Sequence, residues 1–379
     1  MSKLNTFLAG VKVLDLSQYI PGPMASLYLA DMGAEVIKVE PPSGDEMRNL
    51  GPRGHDGRPI FYEALNAGKT VCRIDLKSSD GHARLMGLLG EADVLIEGFR
   101  PGVMARLKLD YQTVRQRNRS LIYCSVSGYG ATGLLAGKAA HDNNYMATSG
   151  ILDRNGVDGP MFFDPPISDT SGALFAALSV VGALHGRRVG GEGCHIDLGL
   201  ADVTMPLQLL QVAAFGAIRD VPRRRETYLN GGAAYYQSYG TRDGRHVMLG
   251  AIEPKFWRTF CDAAGQAHWI ARQSEPLPQV ALIDDVARYF IGMTSREAIE
   301  LFGAVDCCFS PVLDLEEALS QKAVAERQLV RPGALGRDLQ ALFPAYVDGL
   351  PPETRPAPRD GVAWDIVEVK SPSKRNAKS

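Results

Sequence analysis

The stretch VKVLDLSQYIPGPMASLYLADMGAEVIKVE (residues 11–40) decides the fold. VKVLDLS is a compact apolar strand, QYIPGP is a turn, MASLYLADMG has helical spacing with a glycine stop, and AEVIKVE is a second buried strand. A strand, a helix and a strand in this order form a βαβ unit, so the first strands are predicted to be parallel. The turn lacks GxGxxG, the usual dinucleotide-binding pattern. A ligand can still bind there, because the carboxyl ends of strands in open α/β sheets are the default ligand edge.

The same alternation continues along the chain. Strands are predicted at 69–76, 93–99 and 120–130, with helices at 78–92 and 111–118 between them. This order predicts an α/β fold with a doubly wound, Rossmann-like sheet from residue 10 to about residue 200.

From about residue 205 the pattern changes. A Tyr-rich β-hairpin is predicted over 233–252, an apolar strand over 307–315 and a helix over 316–330, which together are typical of a smaller α+β domain. The predicted division is a large domain (1–205), a linker (206–225), a small domain (226–325), and a return segment to the large domain that ends in a disordered basic tail (326–379).

Composition excludes several classes of partner. The chain has 379 residues, of which 45% are hydrophobic and 22% charged, as in soluble globular proteins. A net charge of −2 gives no global attraction to nucleic acid or to an anionic membrane. No run is expected to approach a membrane span. The six cysteines lack CxxC spacing, which predicts reduced, mostly buried thiols in a cytoplasmic protein and no metal site.

The segment 139–173 carries the residues best suited to chemistry. It opens with His141-Asp142 and closes with Asp169, which precedes an apolar helical run and therefore lies at or near a helix N-terminus. A histidine and a carboxylate placed by one segment can supply two proton-transfer groups. The structural alternative is a helix cap and an ordinary loop pair. Glu253, in GAIEPKFW, is either a helix-start carboxylate or a group that orients a histidine.

Basic and aromatic residues mark the same predicted edge of the sheet. Lys77, Arg100 and Arg106 lie at or just beyond the carboxyl ends of strands, where they can meet phosphates or remain solvated surface charges. Phe99, beside Gly98, can present its ring to a flat base or end its strand as a core residue.

The sequence indicates no catalytic role for two of the cysteines and five of the histidines. Cys307 and Cys308 are expected to be buried and inert in an apolar strand. Five histidines without an evident partner are interpreted as structural or solvated: His55, His185, His195, His246 and His268.

Five motifs run in order through the chain: GVKVLDLSQYIPGPMASLYLADMGAEVIKVEPPSGDEMR, NAGKTVCRIDLK, ADVLIEGFRPGV, SLIYCSVSGYG and CCFSPVLDLEEA. Together they resemble the family III CoA-transferases (the CaiB/BaiF superfamily), which include the alpha-methylacyl-CoA racemases. The similarity covers about residues 8 to 330.

Three motifs bear on the branch of the family. AAHDNNY, with His141, resembles the histidine motif of the racemases, and GAIEP resembles the motif whose glutamate, here Glu253, pairs with that histidine. The Thr-Ser-Gly that follows Asp169 instead resembles the transferases, in which the matching aspartate is a nucleophile.

The resemblance implies a 2-methylacyl-CoA racemase as the first choice. His141 and Asp169 would exchange the α-proton on opposite faces of a thioester, with Glu253 supporting His141 and backbone N–H groups near the start of the Asp169 helix holding the enolate oxygen. No cofactor is expected beyond the CoA of the substrate. The alternative is a CoA-transferase with Asp169 as nucleophile, and the third class is a non-enzymatic acyl-CoA-binding module.

The resemblance also implies the binding surfaces. It implies an interlocked homodimer in which large and small domains of different subunits frame each site, with loops 41–60 and 145–166 reading the acyl group. The residues implied to lie along CoA are Ile20, Pro21, Ile74, Asp75, Leu76, Lys77, Gly98, Phe99, Arg100, Arg106, Ala139, Ala140, His141, Asp142, Asn143, Asn144 and Tyr145.

Overall fold

A computed structural model describes residues 2–333, 336 and 338–361. They fall into two compact units. The larger unit takes the described parts of Met1–Met146, Asp164–Leu207 and Lys322–Ser379, and the smaller unit takes Ala147–Phe163 and Gln208–Gln321. The predicted basic tail, KSPSKRNAKS (residues 370–379), lies outside the described residues.

Within the described residues, twelve strands form three sheets. They are β1 (Lys12–Asp15), β2 (Glu35–Glu40), β3 (Thr70–Arg73), β4 (Val94–Glu97), β5 (Ile122–Ser127), β6 (His195–Gly199), β7 (Tyr236–Gly240), β8 (His246–Gly250), β9 (Phe309–Pro311), β10 (Val330–Pro332), β11 (Leu339–Ala341) and β12 (Arg359–Asp360).

The α-helices connect and cover these sheets. They are α1 (Pro21–Asp31), α2 (Ile60–Asn66), α3 (Ser79–Glu91), α4 (Val103–Arg106), α5 (Tyr111–Arg115), α6 (Asp142–Thr148), α7 (Ile151–Arg154), α8 (Ile167–Arg188), α9 (Thr204–Leu207), α10 (Leu209–Ile218), α11 (Pro254–Ala263), α12 (Val280–Ile291), α13 (Ser295–Phe302), α14 (Leu315–Ser320) and α15 (Lys322–Arg327). Four 3-10 helices cover Lys3–Thr6, Glu46–Asn49, Tyr228–Asn230 and Ala267–Ser274.

The larger unit is built on a seven-stranded sheet in the order β12-β3-β2-β1-β4-β5-β6. All six strand pairs are parallel, which confirms the predicted α/β class. Apart from β12, the order is that of Rossmann folds, in which the chain reverses direction between the first and fourth strands. Ligands bind outside the carboxyl ends of the strands at this reversal, here at β1 and β4.

Helices cover both faces of this sheet. Val13 of β1 packs into the cluster formed with α1 and α8, while its neighbour Leu14 packs into the cluster formed with α3. Adjacent residues point to opposite faces because side chains alternate along a strand. Gly172 allows α8 to approach closely, since a Cβ there would lie 2.4 Å from a methyl carbon of Leu200.

Helix α8 corrects one expectation from the sequence. By length and composition it is apolar enough to cross a membrane, so the expectation that no run approaches a membrane span was wrong. Its composition has a structural reason, because Ala173, Ala176, Val180 and Leu184 are buried in the core of the larger unit.

The smaller unit contains the antiparallel sheet β7-β8-β9. The predicted hairpin is confirmed, with Tyr236 opposite Gly250 and Gly240 opposite His246. Its core is aromatic, and the buried indole of Trp257 donates from Nε1 to the carbonyl oxygen of Trp269 at 3.0 Å.

Two predicted elements differ from the structure. The strand expected over 307–315 is limited to β9, because Cys308 has a left-handed φ of 57°. The helix expected over 316–330 is two helices, α14 and α15, because Gln321 between them is extended.

Candidate active site

A first cavity of about 320 Å³ lies at the carboxyl ends of β1 to β4. It brings together six of the residues predicted to bind CoA. The walls include Ile74, Asp75, Leu76, Lys77, Phe99 and Arg106, together with Leu16, Gln18, Val39, Pro41 and Pro42. The cavity therefore combines an apolar slot with one ammonium and one guanidinium group, the combination that a base joined to phosphates requires.

A second cavity of about 580 Å³ holds both predicted proton-transfer residues. His141 and Asp169 line it, so the structure brings together two residues that are far apart in the sequence. Predicted CoA residues also contribute to its walls: Pro21, Gly98, Phe99, Arg100, Ala139, Ala140, Asn144 and Tyr145. Gln18 and Phe99 line both cavities, which are thus adjacent along the same sheet edge.

Asp169 is the third residue of α8, so it lies near a helix N-terminus, as the sequence predicted. The N-cap residue of this helix is Pro166, whose apolar side chain cannot accept a hydrogen bond from the N–H groups of the first turn. Asp142 supplies the missing acceptor, since its Oδ1 accepts a hydrogen bond from the Asp169 backbone N–H at 3.0 Å. Burial, and next the negative charge of Asp142, raise the pKa of the Asp169 carboxyl to about 7.

His141 is held by the first turn of α6. Its backbone N–H donates to Asn144 Oδ1 at 3.0 Å, and its carbonyl accepts from the Asn144 N–H at 2.8 Å. The Tyr145 hydroxyl donates to the carbonyl of Ala140 at 2.9 Å. These bonds fix the backbone around His141, while the residue itself is exposed.

Several predicted site residues do not line either cavity. Ile20 is the N-cap of α1, and Asp142 is buried while it binds the Asp169 N–H. Asn143 is half-buried outside both walls. Glu253 is the exposed N-cap of α11 in the smaller unit, so its support of His141 stays a prediction.

Two of the backbone N–H groups near the start of α8, where the enolate oxygen is predicted to bind, already have acceptors within the protein. The Asp169 N–H donates to Asp142, and the Thr170 N–H donates to the Pro166 carbonyl at 3.1 Å. Neither group can therefore hold an enolate oxygen without giving up its present acceptor.

Five polar residues of the second cavity were not predicted from the sequence: Ser17, Gln18, Tyr19, Ser127 and Lys138. Gln18 and Tyr19 carried a usable signal, because they follow directly after β1 at the ligand edge of the sheet. Ser127 ends β5, and its hydroxyl oxygen is buried without a hydrogen-bond partner.

His195 also has a partner that the sequence did not reveal. Its Nε2 lies 3.0 Å from the Ser125 hydroxyl, and both residues line a cavity of about 170 Å³ with Glu97. Burial raises the pKa of the Glu97 carboxyl, whose Oε2 accepts from the Phe99 N–H at 2.9 Å. Glu97 thereby fixes the backbone of the segment that carries Phe99 and Arg100.

The thiols are mostly unreactive. Burial raises the pKa of Cys124 to about 12 and that of Cys307 to about 11, so both stay protonated at neutral pH. Cys308 is exposed, however, so the expectation of its burial was wrong. Among the described residues, no three His, Cys, Asp or Glu side chains group as metal ligands would.

The larger unit is an α/β fold with a mostly apolar cavity that carries Lys77 and Arg106, next to a cavity lined by His141 and Asp169. The sequence model of CoA-transferase family III matches residues 8–361. The chain therefore belongs to this family of enzymes acting on CoA thioesters, as its motifs indicated.

Known relatives include both activities of the family. Alpha-methylacyl-CoA racemase of Mus musculus is 34% identical over 376 residues, covering 96% of this chain and 92% of that protein. Acetyl-CoA:oxalate CoA-transferase of Acetobacter aceti is 34% identical over 334 residues, covering 85% of this chain and 84% of that protein. A crystal structure of a CaiB/BaiF family protein from Brucella suis matches with a TM-score of 0.81 and 25% identity, covering 93% of this chain and 96% of that one.

Proposed function

We propose that the protein is a 2-methylacyl-CoA racemase. The observation that carries the proposal is the cavity shared by His141 and Asp169, together with the pKa of about 7 for the Asp169 carboxyl. Inversion of a carbon beside a thioester needs one group that takes a proton and another that gives one. An acid with a pKa near 7 can do either at neutral pH, because both of its protonation states are populated.

The reaction follows from these two groups. In one direction the neutral imidazole of His141 removes the α-proton, and the electrons of the C–H bond move into the thioester to form an enolate. The protonated Asp169 then gives its proton to the opposite face of the α-carbon. The product is the other enantiomer, and the pair is left as imidazolium and carboxylate, which is the starting state for the reverse direction.

A CoA-transferase is the second candidate. It is supported by the relatives that carry this activity and by the Thr-Ser-Gly sequence after Asp169. In that reaction the ionised Asp169 would attack the thioester carbonyl and release CoA thiolate. The pKa of Asp169 does not separate the two reactions, because both of its protonation states are populated at neutral pH; the imidazole of His141 in the same cavity favours the racemase.

Exchange of the α-proton of a 2-methylacyl-CoA in deuterated water, followed by NMR, tests the proposal. His141→Ala should reduce exchange by about 10²–10⁴-fold, the usual contribution of a general acid or base. His246→Ala is the matched control, since His246 is exposed on β8, and it should exchange at the wild-type rate.

The opposite outcome is equally specific. If wild-type protein leaves the α-proton in place but moves CoA between carboxylic acids, the racemase assignment fails. Hydroxylamine added during turnover would then modify Asp169, the acyl-carrying residue of a transferase.

We also propose that the working form is a homodimer. No residue of α10 is buried in the single chain, and Leu209, Leu210 and Ile218 are 68%, 67% and 67% exposed. Apolar helices this exposed mark interaction surfaces. Light scattering should give twice the mass of one chain, and Leu210→Lys should shift the protein to monomer.

A further inference from the structure

A short segment between β1 and α1 forms one wall of the second cavity. Ser17, Gln18, Tyr19, Pro21 and Gly22 all line it, and Gln18 also reaches the first cavity. Any shift of this segment would change both cavities at once.

The segment has an unfavourable local conformation. Tyr19 has a φ of 64°, in the left-handed region that non-glycine residues rarely adopt. Such a residue is strained, and its conformation persists only where the surrounding structure determines it. The turn is also tight, because a Cβ on Gly22 would lie 2.1 Å from Ser17 Oγ.

Three buried charges hold the backbone at both ends of the segment. At the first end, Asp15 Oδ1 accepts from the Ser17 N–H at 2.9 Å, and Lys38 Nζ donates to the Ser17 carbonyl. At the far end, Lys69 Nζ donates to the carbonyl of Pro23 at 2.8 Å.

The two ends are also tied to each other. Lys69 Nζ lies 3.1 Å from Asp15 Oδ2, so one ion pair joins the residue that holds Ser17 to the residue that holds Pro23. Asp15, Lys38 and Lys69 are each 0% exposed, and none of them lines the two cavities.

Stability alone is a weak reason for such an arrangement. Burying an ion costs several kcal/mol, and apolar residues of similar volume often serve stability as well or better. These three charges, however, direct their bonds to main-chain atoms that bracket the segment, which apolar side chains cannot do.

We propose that Asp15, Lys38 and Lys69 are positioning residues for ligand binding: they lock the Ser17–Gly22 segment in the strained conformation that shapes both cavities. They do not touch the substrate. The inference rests on the proposed function only for the identity of the ligand, so it is tested with CoA itself and with backbone exchange, not with turnover.

The first measurement uses the unchanged protein. Hydrogen–deuterium exchange of a peptide covering residues 17–24 should be as slow as that of the central strands β1 and β4, because a locked segment opens only when the sheet opens. Exchange of this peptide at least 100-fold faster than β1 and β4 would overturn the inference, whatever the variants show.

The second measurement is the Kd for CoA, determined by calorimetry. It compares variants of the proposed positioning residues with a control variant. Lys69→Met and Lys38→Met should each raise the Kd for CoA at least 10-fold and speed exchange in residues 17–24. Arg355→Met is the matched control: its Nε lies 2.6 Å from Asp31 Oδ1 in another nearly buried ion pair of the larger unit, and Arg355 lines neither cavity. It should lower the melting temperature and leave the Kd within 2-fold of wild type.

The outcomes separate positioning from stability. If folded Lys69→Met or Lys38→Met protein binds CoA as wild type does, or if Arg355→Met weakens CoA binding equally, the inference is wrong. If wild-type protein binds CoA but does not exchange the α-proton of a 2-methylacyl-CoA, that result counts against the racemase proposal alone.

Discussion

Asp15 is fully buried and Asp169 is half-buried at the same edge of the sheet, yet their pKa values are shifted in opposite directions. Burial alone would raise the pKa of Asp15, but Lys38 and Lys69, with the hydroxyls of Ser17 and Ser26, hold it well below its usual range. Asp169 has the carboxylate of Asp142 as its charged neighbour, so burial and like charge together raise its pKa to about 7. The partner therefore decides the protonation state, and only Asp169 has a proton to exchange at neutral pH.

The largest expected effect is on activity. Asp169→Asn should lower α-proton exchange by roughly 10³–10⁴-fold, because an amide can neither take nor give the proton. NMR in deuterated water measures this rate. A loss smaller than 10-fold would show that another group moves the proton on that face.

The second prediction concerns stability, for which Asp15 should matter more than Asp169. Asp15→Asn should lower the free energy of unfolding by about 3–5 kcal/mol, because Lys69 loses its buried counter-charge. Asp169→Asn should leave it unchanged or higher at pH 7, since it removes a poorly solvated carboxylate. Urea unfolding at pH 7 tests both, and equal losses in the two variants would contradict the comparison.

The pH dependence of stability should also have opposite signs. The raised pKa of Asp169 stabilises the folded protein below pH 4, and this contribution is lost as pH rises to about 7. The lowered pKa of Asp15 stabilises the protein above pH 4, and this contribution is lost as pH falls further. Relative to each Asn variant, we expect changes of roughly 2–4 kcal/mol in urea titrations.

The smallest effect concerns Asp142. Asp142→Asn removes the negative charge beside Asp169 while keeping an oxygen that can accept the Asp169 N–H. The pKa of Asp169 should fall, which moves the pH window of α-proton exchange downward by about one pH unit. An unchanged pH profile would mean that burial alone sets the pKa of Asp169.

The sheet could be predicted from sequence because each central strand is an apolar run bounded by turn residues. The two-residue strand β12 could not, since Arg359 and Asp360 carry no strand signal and pair only because the chain returns beside β3. Cys308 likewise delays the start of a predicted strand through a backbone angle that its side chain does not encode.

Within the candidate site, residue types were easier to predict than contacts. His141 and Asp169 were identified by chemistry and helix position, but the bond from Asp169 to Asp142 spans 27 residues and needs the fold. The buried charges offered a signal that was not used, because Asp15 and Lys38 interrupt apolar strands that are covered on both faces.

The chain leaves the larger unit after Leu207 and re-enters it at Lys322. No strand of the seven-stranded sheet lies in that interval, and neither His141 nor Asp169 does. A recombination event that exchanged residues 208–321 would thus carry over the aromatic core and the hairpin of the smaller unit without breaking one parallel strand pair, while Ala147–Phe163 of that unit would stay with the recipient chain.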